Sequence, residues 1–276
     1  TYIGSVGINA DTIAAVGKLK ATGRLEIDAT DLVVAPGFIN MLSWATESLI
    51  QNGRSESDIM QGVTLEVFGE GWSMGPLNKN LKKELQLPTA QGDIKYDIDW
   101  NTLDEYLQSL VRRGISPNVA SFIGATTVRI NHIGYENRAP TAEELTSMKQ
   151  MVKEAMEDGA LGVGSSLIYA PAFYSSTEEL IELSNPSILD NTIFVFPEGA
   201  LAGINLNKLK SFKEIFLKKY SEKHIIIMGI NTEKKLENSS KIYNSMVVLD
   251  NKLNLISEYN KIKLVPFGEF LPFENF

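Results

Sequence analysis

Apolar positions along this chain alternate between strand-like runs and helix-like stripes. Residues 63–68, 119–123 and 161–167 are short, nearly continuous apolar runs, and each predicts a buried strand. Between them the period lengthens. Thr102 and Glu105 form a Ser/Thr-x-x-Glu capping box. The helix it opens carries Leu103, Tyr106, Leu107, Leu110 and Val111 on one face and closes at Gly114. Thr141 and Glu144 box a second helix, with Leu145, Met148, Val152 and Ala155 inward and Gly159 as its stop. Ser55 is expected to cap a short helix through Ile59 that ends at Gly62. Ahead of these, residues 6–8, 12–16, 25–27 and 32–34 predict the strands of a small β subdomain, which leads into Pro36-Gly37-Phe38-Ile39. Apolar strands alternating with amphipathic helices imply a parallel sheet covered on both faces.

The pattern changes near residue 185. Ser176 and Glu179 box a helix through Leu180, Ile181 and Leu183, but Asn185-Pro186 stops it after two turns. Beyond it, residues 192–196 and 224–230 predict buried strands. Leu206, Leu209, Phe212, Ile215 and Phe216 mark one helix face through about Tyr220. Residues 242–249 and 255–259 predict a hairpin around Asp250-Asn251. Charge breaks at the same place. Residues 1–184 carry 14 basic and 24 acidic side chains. Residues 185–276 carry 12 lysines, no arginine and 10 acidic side chains, with 11 Asn and 11 Ile. Either two domains with different surfaces meet here, or two stretches of different coding background do.

The 276 residues are 43% hydrophobic and 22% charged, which is globular composition. A net charge of −8 argues against a nucleic-acid partner. No apolar run reaches the ~18 residues of a membrane-spanning helix. The chain opens on Thr1 without a basic, apolar leader, so a processed or truncated start is the expectation. There is no cysteine, hence no disulfide, thiolate ligand or cysteine nucleophile within these residues.

Particular residues then carry a resemblance. Leu32-Val33-Val34-Ala35-Pro36-Gly37-Phe38-Ile39-Asn40, Gly62-Val63-Thr64, Arg138-Ala139-Pro140-Thr141 with Glu144-Leu145, and Gly159-Ala160-Leu161-Gly162 through Tyr169-Ala170-Pro171 follow one another as in N-acyl-D-amino-acid deacylases (D-aminoacylases) of the amidohydrolase superfamily. Residues 1–184 resemble that family. The resemblance implies a small β subdomain over 1–40 and a partial TIM-like barrel over 41–184, acting on an N-acyl amino acid through a bound metal. The positions that match the family's metal ligands hold Leu42, Trp44, Gly71 and Ala125. None of these ligates a metal, so no cofactor is expected. Polar candidates near the predicted strand ends are Ser43, Glu66, Glu70, Ser165, Ser166 and Tyr169. Glu70 reads as a substrate-facing carboxylate or a solvated loop acid. Trp72, Met74 and Tyr169 read as pocket lining or packed loop residues. His132, expected in a loop, reads as structural.

In the second segment, Phe194-Val195-Phe196-Pro197-Glu198-Gly199-Ala200, Tyr243-Asn244-Ser245, and Tyr259-Asn260-Lys261 with Leu264-Val265-Pro266-Phe267-Gly268-Glu269 resemble bacterial apolipoprotein N-acyltransferase. That implies, over 185–276, part of a carbon–nitrogen hydrolase (nitrilase-like) domain that works with a Glu–Lys–Cys set on a phospholipid or lipoprotein. Glu198 matches its general base, Lys261 its catalytic lysine and Glu269 its accessory acid, while the nucleophilic cysteine has no counterpart here.

The expected architecture is therefore α/β: a small β subdomain, a partial (β/α) barrel, then a partial nitrilase-like α/β sandwich. Three functional readings follow. One is a junction of two incomplete enzyme pieces without activity. Another is a divergent amidohydrolase that binds zinc through carboxylates such as Glu70. The last is a non-enzymatic binding module around Trp72 and Tyr169. By resemblance the first part is cytoplasmic or periplasmic, and the second comes from an inner-membrane enzyme with a periplasmic domain. Compartment, substrate and oligomeric state stay open.

Overall fold

A computed structural model describes residues 3–20, 22–85, 96–184, 191–197, 201, 203–235 and 240–265. The chain divides into two compact units, Thr1–Leu183 and Ser184–Phe276.

The first unit begins with an antiparallel hairpin of β1 (Ser5–Asn9) and β2 (Thr12–Gly17), turned at Ala10 with φ 54°. The strands expected at 25–27 and 32–34 do not form. Leu25, Ile27, Leu32 and Val33 are exposed in irregular backbone. A strand needs a neighbour to take its N–H and C=O groups. Here the chain folds on itself locally, as the Asp28 carboxylate accepts from the Thr30 N–H at 3.0 Å and its hydroxyl at 2.6 Å. The expected β subdomain over 1–40 is thus reduced to one hairpin, because Phe38–Asn40 joins a different sheet.

That sheet is parallel. β3 (Phe38–Asn40) pairs with β4 (Val63–Phe68), and β4 with β5 (Asn118–Ser121). The run expected at 119–123 bends at Phe122, whose N–H donates to Phe68 O at 2.9 Å. Beyond the bend, β6 (Ile123–Gly124) pairs in parallel with β7 (Val163–Gly164). β7 is all that forms of the expected strand at 161–167. Helices connect the strands, as parallel pairing requires. They are α1 (Ser48–Gln51) and α2 (Glu56–Ile59), then α3 (Lys79–Leu85) and α4 (Leu103–Arg113), then α5 (Ala125–His132) and α6 (Ala142–Glu157), and finally α7 (Thr177–Ser184). The repeated strand–helix unit is that of a (β/α) barrel.

Both interior capping boxes form in full, at Thr102/Glu105 on α4 and Thr141/Glu144 on α6. Leu103, Tyr106 and Leu110 of α4 and Met148, Val152 and Ala155 of α6 enter a core that includes Phe68, Trp100, Ile123 and Val128. Trp100 is fully buried and its indole N–H donates to Met74 O at 2.6 Å. Val111, expected inward, is exposed on the far side of α4. Ser55 does not cap α2 with its side chain. It stands in the left-handed region (φ 46°) and its hydroxyl points elsewhere.

In the second unit β8 (Thr192–Phe196) lies parallel to β9 (His224–Lys235). Strands β10 (Ser240–Leu249) and β11 (Leu255–Asn260) continue antiparallel, giving the order β11-β10-β9-β8. The single helix expected through Tyr220 is α8 (Leu206–Leu209) and α9 (Lys213–Lys219) joined by a 3₁₀ turn at Lys210–Phe212. The Ser211 hydroxyl donates back to Lys208 O at 2.7 Å, a contact that bends helices. Ile215 consequently points outward. Leu206 and Leu209 pack with Ile226, Met228, Ile230, Val247 and Leu249. Among the described residues this unit is one sheet with helices on one face. Ile193, Val195 and Met246 are exposed.

Candidate functional site

In the first unit the chemistry has to be sought where parallel strands end. After β3 the chain runs on beside β4, and Ser43 N–H donates to Val67 O at 2.9 Å. Side chains alternate there. Leu42 and Trp44 are exposed while Ser43 is buried. The Ser43 hydroxyl donates to Glu66 Oε2 at 2.6 Å, and Ser55 donates to Glu66 Oε1 at 2.5 Å. Glu66 is fully buried, and Phe68, two residues on and on the same face of β4, meets the Tyr106 ring of α4. Glu66 therefore faces the helices. Its carboxylate is held by hydroxyls behind the sheet, and this explains the left-handed Ser55.

The loop after β4 is fastened to the start of α5. Gly69 (φ 88°) passes so close to β5 that a Cβ there would lie 2.2 Å from Phe122 O. Glu70 is exposed. Gly71 is buried, and a Cβ there would stand 2.7 Å from the Ser166 Cβ, so nothing larger fits as the loop stands. Gly71 O accepts from Thr126 N–H at 3.0 Å, and Ser73 N–H donates to the Thr127 hydroxyl at 2.8 Å. Gly71 and Ala125 thus stand close together, with Ala125 buried at the first position of α5. Trp72 is half-buried against the core and Met74 is buried within it. Tyr169 is 73% exposed.

His132 ends α5 instead of lying in a loop. Its Nε2 is buried without a partner, and burial pushes the ring's pKa down against the pull of Glu144. It borders a cavity of about 310 Å³ that Asn78, Glu84 and Tyr135 also line.

A buried ion pair was not legible in the sequence. Arg129, one turn into α5, is fully buried and pairs with buried Glu179 of α7 at 2.6 Å. Its other terminal nitrogen donates to the carbonyls of Arg138 at 2.5 Å and Glu136 at 3.2 Å. An arginine inside the apolar stretch 123–133 was the available signal. Among the described residues no three His, Cys, Asp or Glu side chains gather as a metal-holding group.

In the second unit β8, β9 and β11 run the same way, and Phe196, Met228, Val247 and Glu258 lie level across the sheet. The carboxyl ends of β8 and β11 are therefore at one sheet end. Lys261 follows β11 there, its N–H donating to Asn244 O at 2.8 Å. Thr232, Ser245, Glu258 and Asn260 form a hydrogen-bonded cluster at the same end. Glu198 and Glu269 lie outside the described residues.

The first unit thus has the parallel strand–helix organisation of an amidohydrolase-type barrel. Over about two thirds of its length the chain resembles an N-acyl-D-amino-acid deacylase. It is 34% identical over 184 residues to the D-aminoacylase of Alcaligenes xylosoxydans xylosoxydans, covering 66% of this chain and 37% of that protein. The chain therefore spans little more than a third of the length of this curated relative. A solved D-aminoacylase variant in complex with copper chloride superposes with a TM-score of 0.61 at 28% identity, over 82% of this chain and 47% of that one. A weaker similarity links 18% of this chain to 10% of the apolipoprotein N-acyltransferase of Rickettsia prowazekii, 41% identical over 51 residues. No family model matches the chain.

Proposed function

We propose that residues 1–184 are a deacylase-derived portion, a β hairpin (Ser5–Gly17) followed by a partial barrel that begins with the strand Phe38–Asn40. In this reading it is joined to an apolipoprotein N-acyltransferase-like portion over 185–276, and the chain as it stands catalyses neither reaction. One observation carries the reading. The positions that match the deacylase metal ligands hold Leu42, Trp44, Gly71 and Ala125. Leu and Ala side chains offer only carbon, and an indole N–H is a donor without a lone pair to give. Gly71 is hemmed in by Ser166. These residues do not fit the metal of a deacylase, and no step is derived through one. The second portion supplies Glu198, Lys261 and Glu269 for an acyl transfer, but the chain contains no cysteine to take the acyl group.

The test is metal analysis of the purified chain combined with assays of N-acetyl-D-amino acid hydrolysis and of phospholipid-to-lipopeptide acyl transfer. The expected result is no stoichiometric metal and no product above a blank. Product in either assay overturns the reading. Stoichiometric zinc lost on Glu70→Ala, together with hydrolysis, would replace it with a carboxylate-liganded deacylase.

A further inference from the structure

The corner after α1 carries a reaction that the functional reading does not use. Asn52 follows the last turn of α1, its N–H donating to Ser48 O at 2.7 Å, and its side chain is exposed. Gly53 comes next, and this is the one Asn-Gly step in the sequence. An asparagine ahead of glycine can modify itself. The glycine nitrogen attacks the side-chain Cγ and a C–N bond forms. The old Cγ–N bond breaks, and its electron pair leaves with ammonia, which also carries off the proton of the attacking nitrogen. The five-membered succinimide then takes up water and opens at either carbonyl. One opening gives aspartate, the other isoaspartate, whose main chain runs through Cβ. No side chain crowds a glycine nitrogen in this attack. The amide and water are the only reactants.

In the folded chain this ring cannot close. Closure requires the Gly53 nitrogen to eclipse Cβ about the Asn52 Cα–C bond. At ψ 95° it is turned far from Cβ, toward the opposite side. Bringing it round swings the Asn52–Gly53 peptide, and Gly53 is seated against the corner after α4. Its carbonyl accepts from the Ser116 N–H at 2.8 Å, and it passes so close to Gly114 that a Cβ on it would overlap Gly114 O. The Asn52 side chain is engaged as well, since Oδ1 accepts from the Arg54 N–H at 3.2 Å. The two corners therefore have to part before the nitrogen reaches Cγ.

We propose that Asn52-Gly53 is a self-modification site gated by the contact of Gly53 with Gly114 and Ser116: the closed corner protects the Asn52 amide, and parting of the corners lets it convert. The two products then differ. Aspartate keeps the main chain and an acceptor oxygen for the Arg54 N–H, so Gly53 seats again. Isoaspartate lengthens the main chain by one methylene immediately ahead of Gly53. Gly53 has no slack against Gly114 O, so the lengthened chain does not seat, and the corner stays open. Conversion to isoaspartate thus makes a transient opening permanent. The inference needs no substrate and stands apart from the functional reading above.

The test incubates the full chain and a synthetic peptide of residues 48–57 side by side in neutral buffer, and follows aspartate and isoaspartate at position 52 by peptide mapping. Conversion should be at least about tenfold slower in the full chain, which corresponds to an opening of at least about 1.4 kcal/mol. In urea that unfolds the chain the difference should vanish. Gly114→Ala strains the corner itself, at φ 84°, and should speed conversion several-fold. Gly134→Ala puts a like strain after α5, at φ 73°, and should not. In chains carrying isoaspartate at 52 the Ser116 amide should lose its protection from hydrogen exchange, and in Asn52→Asp it should keep it. Equal rates in chain and peptide overturn the proposal. So does a Gly114→Ala rate no faster than that of the parent or of Gly134→Ala, or a Ser116 amide that stays protected beside isoaspartate.

Discussion

Glu179→Ala isolates the Arg129–Glu179 pair. The guanidinium is fully buried and its partner carboxylate nearly so, at 2.6 Å. Removing the carboxylate leaves a cation in the interior with two backbone carbonyls, those of Glu136 and Arg138, and no counter-charge. Breaking one side of a buried pair costs about 3–5 kcal/mol. For a unit of this size each kcal/mol moves the melting midpoint by about 2–4 °C, so a fall of about 6–20 °C is expected. The assay is clean because all three tryptophans, Trp44, Trp72 and Trp100, lie in the first unit. Their fluorescence on heating the full chain reports that unit alone. The double variant Arg129→Met with Glu179→Leu removes both charges and restores apolar volume. It recovers only part of the loss, because the Glu136 and Arg138 carbonyls then lack their donor, at about 1–3 kcal/mol for a buried group. The pair is shielded from water, so the loss should barely change with salt. A Glu179→Ala midpoint within about 2 °C of the parent, or a double variant below Glu179→Ala, would refute the reasoning.

Two further predictions use the same reporter in urea. Ser55→Ala removes one of the two hydroxyls holding buried Glu66 and keeps the left-handed backbone, so it should lose about 1–3 kcal/mol. Ser55→Gly loses the same bond but relieves the positive φ, so it should be the more stable of the two; the reverse order sinks the account. Glu144 is held at about 2, against an ordinary 4.5, chiefly by the Arg138 guanidinium and then by the Thr141 N–H. A depressed carboxyl stabilises the fold fully above its unfolded value, and that contribution fades as pH falls from about 4.5 toward about 2. Arg138→Ala should flatten this acid limb, and an urea midpoint with the same pH dependence in both proteins would contradict it.

Features whose partners are close in sequence were the legible ones. The boxes at Thr102/Glu105 and Thr141/Glu144 span three residues each and formed as read. The box at Ser176/Glu179 formed by half. Ser176 accepts the Glu179 N–H at 3.1 Å, but the Glu179 carboxylate goes to Arg129, 50 residues away. Ser55 failed as a cap for the same reason, its hydroxyl being claimed by Glu66. Residues 25–27 and 32–34 have strand composition, but composition cannot supply a neighbouring strand. The 224–230 run, which does have neighbours on both sides, extends to Lys235.

The same division bears on function. Motif order is what assigns Leu42, Trp44, Gly71 and Ala125 to the family's ligand positions, because a motif is local. The destinations of the buried charges, Glu66, Arg129 and Glu179, were hidden, because each is satisfied by groups far along the chain. The resulting pattern has a physical meaning. A catalytic barrel places ionisable groups at the carboxyl ends of its strands, where a substrate can reach them. Here Glu66, Arg129 and Glu179, all removed from water, lie behind the sheet or between helices, bound by hydroxyls, carbonyls or a counter-ion. At the end of β3 the chain presents Met41, Leu42 and Trp44, all more than half exposed. Polar interactions in this unit hold elements to one another, while Leu42 and Trp44 at the end of β3 bring no metal donor and exposed Glu70 follows β4. Placing histidines at 42 and 44 alone should therefore bind zinc poorly, because Gly71 and Ala125 still offer no donors. Zinc binding by Leu42→His with Trp44→His as tight as in a solved deacylase, measured by calorimetry, would show that the fold still holds a working site behind the changed residues.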